Sequence, residues 1–340
     1  MLDKRDFIGP FPCSIRTGLP IVNERLFPFS LGVFRDFDRM VRDSFSPAHI
    51  YLAYVPTGVV RQHNKPSYFH YTRLNNFKNI MNTGTLWASE LGKMNDAEEV
   101  TYARDRLIDQ IVNILEEQKI SVEKGRTLID EINRFFTDDV CQGLYCISLS
   151  KRGNLLSQWV KYAHEDGISF ALNTQLIDAI PNHYSGAKCI EVIYSMDEQH
   201  SILADLANRL YSSLMRVSSA GDRRQLLIKE YMEELKYIAC AIKNPTFFEE
   251  EELRVVIPGD TNEKFIKIRP EGGGKYLELN FMKVYAKTPV IDLIIEYAFS
   301  APTRNEKKAL NTIYEILLRK RIKFGFLVGS GSSYTWPIAR

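Results

Sequence analysis

Cysteine, long apolar runs and a charge of one sign are all scarce in this chain of 340 residues. The five cysteines (Cys13, Cys141, Cys146, Cys189 and Cys240) are odd in number and include no CxxC pair. That excludes a regular disulfide framework and the usual zinc spacings, and fits buried thiols in a reducing cytoplasm. No run reaches the ~18 apolar residues of a membrane span. The most apolar stretch, "TPVIDLIIEYAFSA", carries Asp292 and Glu296 and reads as a buried strand. "MLDKRDFIGPFPC" at the start lacks the apolar core of a signal peptide. Lys and Arg number 44 against 42 Asp and Glu, so the net charge of +2 creates no global field for nucleic acid or membranes. Walker loops, GxGxxG, HExxH and GxSxG are absent too, and no metal is expected.

What is present is an ordinary globular composition: 45% hydrophobic, 25% charged and 11% aromatic residues. The length suits one large domain or two smaller ones. Residues 1–66 are rich in Phe, Pro and Arg without clear periodicity, as in "RLFPFSLGVFRDFDRMVRDSF". They read as an N-terminal extension that packs on the main domain or holds a partner, with one strand in "AHIYLAYVPTGVV". Residues 67–340 read as a single α+β domain. Its sheet is mixed and mostly antiparallel, with helical-hairpin insertions at about 97–136 and 202–242.

Three polar constellations stand out. "SYFHYT" is strand-like and leads into a helix with Leu74, Phe77, Ile80 and Met81 at helical spacing and Gly84 at its end. On that strand His70 and Thr72 share one side and Tyr71 takes the other. Thr72 is also placed to cap the helix. In the second, Ser148 and Ser150 share one face of "CISLS", and Gln158 and Trp159 open a helix with Tyr162 one turn on. Trp beside Gln suits a flat ring, although buried aromatics are more often plain core. The third is "NPTFFEEEELRVVIP". Read as strand, it puts Glu250, Glu252 and Arg254 on one face. Paired carboxylates beside a guanidinium can hold ribose hydroxyls or orient a nucleophile, and like charges two residues apart raise one group's proton affinity. The plainer reading of any one of these acids is a solvated ion pair. "MNDAEE", with Asn95, Asp96, Glu98 and Glu99, could serve a metal-dependent nuclease but reads better as an acidic helix start.

In this order the pieces resemble a widespread bacterial family known only as a domain of unknown function. Its signature looks like "YHYT", "GTLWAS", "MND", "CISLS", "SQW" and an "FxxExExR" strand, and the likeness covers about Ser67 to the C-terminus. "HYT, helix, GTL" is also similar to the first motif of the ADP-ribosyltransferase superfamily. That resemblance implies an ADP-ribosyltransferase-like core with His70 and Thr72 at NAD, Ser148 on the middle strand, and Glu252 or Glu250 as the catalytic carboxylate with His70. Their places in the three constellations add Tyr71, Gln158, Trp159, Tyr162 and Arg254 as expected ligand contacts. The resemblance further implies a transferase or NAD hydrolase, such as a toxin or antiviral-defence effector, acting on a nucleic-acid or protein acceptor. "SQW" and Arg254 have no obvious counterpart in the familiar transferases. The competing expectation is a non-catalytic nucleotide-sensing or protein-interaction module.

Overall fold

The computed structural model describes residues 50–52, 67–91, 98–135, 143–217, 221–269, 274–288, 291, 293–303 and 305–330. The strands begin with β1 (Ile50–Leu52), β2 (Tyr68–Arg73), β3 (Thr85–Glu90), β4 (Leu144–Ser150) and β5 (Gly167–Leu172). They continue as β6 (Lys188–Glu191), β7 (Glu252–Pro258), β8 (Ile266–Ile268), β9 (Lys275–Asn280), β10 (Ile295–Ser300) and β11 (Phe324–Val328). The longer helices are α1 (Leu74–Thr83), α2 (Glu98–Glu117), α3 (Val122–Phe135), α4 (Met196–Arg216), α5 (Asp222–Ala241) and α6 (Glu306–Arg319). The chain is therefore α+β with mostly antiparallel strand pairing, the parallel β10–β11 pair being linked through α6. Two compact units emerge. One holds the chain up to Thr85, Leu149–Ile180 and the chain from Asn280; the other holds Leu86–Ser148 and Pro181–Leu279.

In the first unit the strand order is β1-β11-β10-β5-β2. β5 lies between β2 and β10 and is buried along its whole length. The register aligns His70 with Phe170 and Ala298 on one face, and Tyr71 with Ser169 and Phe299 on the other. On the His70 face, Phe77 of α1 packs edge-on against Phe170. On the Tyr71 face Trp159, Ala163 and Phe299 join Phe69 in a core. Apolar residues on both faces of β5 thus place it at the centre of a layered unit. β1 pairs with β11, so three residues of the N-terminal segment join this sheet; the rest of residues 1–66 lies outside the described residues.

Thr72 is not the cap of α1. The strand runs on through Arg73, which occupies the cap position without a side-chain hydrogen bond, and Thr72 is buried in the sheet. Gly84 ends the helix as the spacing predicts, at φ 66°, with its N–H on Ile80 O. A side chain there would also collide with Met282.

The second unit pairs Leu144–Ser148 of β4 with β3 and β7, and β9 with β8. The two helical insertions, α2–α3 and α4–α5, pack on each other rather than decorating the chain separately. Leu107, Ile111, Leu128, Ile132, Leu206, Leu210, Ile228 and Leu235 form their shared core. Each helix alternates apolar and charged faces, so none could bury its stripe alone.

Candidate functional site

Two polar assemblies, one in each unit, incorporate some of the residues singled out above. In the first unit, Tyr71 ties down the loop after β4. Its hydroxyl donates to Arg152 O at 2.6 Å and accepts from Leu155 N–H at 2.9 Å. Trp159 meets the Tyr71 ring edge-on at 4.8 Å, and its indole N–H donates to Asn154 Oδ1 at 2.9 Å. Asn154 in turn donates to Ser330 O, and Ser150 Oγ accepts from Arg152 N–H. Gly153 fits because any Cβ would come within 2.7 Å of Phe69 and Phe299. Burial strongly raises the proton affinity of Tyr71, keeping the phenol a donor.

This geometry separates residues that the sequence groups together. Tyr71, Gln158 and Trp159 are buried, and Tyr71 and Trp159 pack on one face of the sheet. His70 and Thr72 point to the other face, where the His70 ring stands edge-on to Phe170 at 5.6 Å. His70 and Trp159 therefore do not flank one ligand on one side of this sheet. The helix at "SQW" is three residues of α-helix, Leu156–Gln158, followed by a π-helical turn, Trp159–Ala163. Tyr162 is half-buried within that turn, with Lys161 Nζ 5.1 Å from its ring centroid.

The assembly in the second unit is ionic. Lys243 follows α5, Glu250 ends a 3-10 turn (Pro245–Glu250), and Glu252 and Arg254 lie on β7. Lys243 Nζ is 2.8 Å from Glu250 Oε2 and 3.1 Å from Glu252 Oε1. Arg254 Nε and Nη2 both reach Glu252 Oε2 at 2.9 Å. Arg254 Nη1 also donates to Cys240 O at 3.1 Å, in the last turn of α5. Arg254 thus satisfies a last-turn carbonyl that has no helical partner, and both cations oppose the negative end of the helix dipole. Gln199 completes the frame by donating to Ile193 O and Lys243 O, both at 2.7 Å. None of the four charged side chains is more than 6% exposed, so this is no solvated strand face.

Glu250 is not on the strand. Between it and Glu252, Glu251 adopts the left-handed conformation at φ 40°, ψ 59°. That turn is costly for a residue with a Cβ, and it brings both neighbouring carboxyl groups to Lys243. The two glutamates also hydrogen-bond each other, and their proton affinities diverge. Burial, then the bond to Glu252, pushes Glu250 up to about 7 against the pull of Lys243. Burial opposes ionisation of Glu252 as well, but Arg254 and Lys243 together overcome it and hold the group at about 2. Tyr194 Oη accepts from the Glu252 N–H at 3.2 Å, and burial with the Glu252 charge raises its proton affinity. Chemically, the assembly sets a carboxyl that holds its proton more tightly than usual beside one that holds it less tightly.

Both carboxyl groups of the cluster are engaged, Glu250 by Lys243 and Glu252. Glu252 already accepts from Lys243, Arg254 and Glu250, which fills the acceptor capacity of a carboxylate.

The expected site residues divide between the units. His70, Tyr71, Thr72, Gln158, Trp159 and Tyr162 belong to one; Ser148, Glu250, Glu252 and Arg254 belong to the other. Ser148 is half-buried, on the β4 face of Cys146 by strand alternation. Asn95 and Asp96 lie outside the described residues, while Glu98 and Glu99 begin α2. Among the described residues no group of three His, Cys, Asp or Glu gathers as metal ligands. No described helix is long and apolar enough to cross a membrane. Sequence reasoning missed Lys243, whose one signal is a lone cation in the apolar run "IACAIKNP". It also missed Asn154 and Tyr194, which carry none. Comparison with family models, curated proteins and solved structures finds no match to the chain.

Proposed function

We propose that the protein is an NAD- or nucleotide-using enzyme of the ADP-ribosyltransferase type, in which Glu250 and Glu252 divide the work. The supporting observation is the ion cluster itself: Arg254 and Lys243 lie on Glu252 and lower its proton affinity against burial, while burial and the bond to Glu252 raise that of Glu250. In such a reaction the bond from the ribose C1′ to nicotinamide breaks and nicotinamide leaves with the bonding pair. The ribose becomes oxocarbenium-like, and a fixed anion such as Glu252 stabilises that charge. A nucleophile then bonds to C1′ and its proton passes to the ionised form of Glu250, which is populated near neutral pH. Lys243 and Arg254 act as positioning residues, keeping Glu252 ionised.

The test is nicotinamide release from NAD by wild type, Glu250→Gln and Glu252→Gln, with and without nucleic acid or protein acceptors. The reading expects release that Glu252→Gln abolishes and Glu250→Gln slows with a shifted pH profile. Wild type that releases no nicotinamide under any acceptor overturns it.

One observation favours a second reading, a non-catalytic ligand-sensing or interaction module. The four charged side chains bind one another within the protein at 6% exposure or less, which also serves as an internal tether between α5 and β7. Under that reading Glu252→Gln lowers the melting temperature and no bound nucleotide is chemically changed.

A further inference from the structure

Away from the ion cluster, the second unit presents an exposed aromatic stack. Trp87 of β3 is 49% exposed, and its ring lies on that of Tyr276 in β9, 4.2 Å between centroids and 27° between planes. Tyr276 is 7% exposed, so the indole covers the phenol and leaves its own second surface to solvent. Lys267 of β8 stands directly across from Tyr276 and is exposed. Arg269 follows two residues on, and its Nη2 donates to Ser89 Oγ at 2.9 Å, on the Trp87 face of β3. Among the described residues neither Lys267 nor the half-buried Arg269 has an ion pair. Among the described residues of β9, Glu278, two residues on from Tyr276, is an acid on this face.

A half-exposed indole costs hydration free energy that a stacked ring recovers, and unpaired cations beside it favour a ligand that carries negative charge next to a flat ring. Nucleic acid repeats that combination at every residue. Only an unpaired strand leaves a base surface open, because a duplex buries base faces against one another. We propose that this face binds single-stranded nucleic acid, one base stacking on Trp87 while adjoining phosphates meet Lys267 and Arg269. The inference owes nothing to the Glu250–Glu252 reading: a chain that releases no nicotinamide still binds the strand.

The test uses the full chain and fluorescence anisotropy of labelled oligothymidylate and oligouridylate of about twelve nucleotides, the length of a typical single-strand site. A duplex of the same length and free thymidine monophosphate serve as competitors. Wild type is expected to bind the single strands roughly tenfold or more tightly than the duplex or the mononucleotide. Trp87→Ala should weaken binding by roughly tenfold, and Trp87→Phe by less, because a ring remains. Lys267→Ala should reduce the slope of log affinity against log salt by about one, whatever the base composition. Ile268→Ala, an exposed change on the opposite face of β8, should leave affinity unchanged. No binding by wild type overturns the inference, as does Trp87→Ala binding like wild type. Duplex or mononucleotide binding as tight as the single strand overturns it too. Trp87→Ala should keep the wild-type melting temperature to within about 2 °C. If it does not, Trp87→Phe and Lys267→Ala decide the question.

Discussion

Lys243 Nζ lies 2.8 Å from Glu250 and 3.1 Å from Glu252, so a single buried ammonium bridges two carboxyl groups from different elements. The link matters because it joins the end of α5 to the start of β7 through charge. Removing it leaves Glu252 with Arg254 and takes from Glu250 its bond to a cation. We predict that Lys243→Met destabilises the chain by about 3–5 kcal/mol, the usual cost of leaving a buried charge without its partner. Equilibrium unfolding in urea measures it. The double variant Lys243→Met/Glu250→Gln should lose less than the sum of the two single variants, because the pair is coupled. A Lys243→Met variant within about 0.5 kcal/mol of wild type would show that the bridge holds nothing together.

The unlike protonation of the pair sets a pH dependence of opposite sign for each member. Glu250 has its folded proton affinity raised from 4.5 to about 7. Its contribution is therefore full below pH ~4.5 and declines as the pH rises through about 7, with a slope of at most ~1.4 kcal/mol per pH unit. Glu252 is lowered from 4.5 to about 2. Its contribution is full above pH ~4.5 and is lost as the pH falls toward 2. We predict that Glu250→Gln flattens the stability profile between pH 5 and 7 and leaves the acid limb in place. Matching wild-type and Glu250→Gln profiles across that interval would disprove the assignment.

Tyr71 carries a hydroxyl that both donates and accepts within the loop at Arg152–Leu155. Replacing it by Phe keeps the edge-on contact with Trp159 and takes from the part-buried Arg152 carbonyl and Leu155 N–H their bonds to the phenol. The expected cost is about 1–3 kcal/mol, typical of unsatisfied buried groups. Hydrogen exchange should locate it, since the Leu155 amide loses its partner and should exchange faster than amides elsewhere in the unit. Unchanged protection at Leu155 would contradict the anchoring role.

Gly84 joins two constraints at one position, a left-handed φ of 66° and contact with the Met282 side chain. Gly84→Ala should cost more than the ~1 kcal/mol of the backbone conformation alone, because Met282 must also move. Pairing it with Met282→Ala should recover the packing part and leave the conformational part. A single variant as stable as wild type would remove both arguments.

Much of the frame was legible in the chain itself. Alternation along "SYFHYT" placed His70 and Tyr71 on opposite faces, Gly84 ended α1, and the apolar spacing of the two insertions marked the helices that form the second unit's core. These are consequences of local period and backbone chemistry, which act over a few residues and are written in order. Other features depended on residues distant in sequence. Thr72 reads as a cap locally, but pairing with Ile168 carried the strand past it to Arg73. Glu250 reads as the start of a strand, but the left-handed turn at Glu251 takes it out of β7. Lys243 looks like one more lysine until the fold buries it against two glutamates. A titration state depends on which charges and how much water surround a group, and a sequence lists neither. The pattern of elements was therefore set by the sequence alone. The tertiary structure decided which of the acids would be an anion and which would hold a proton.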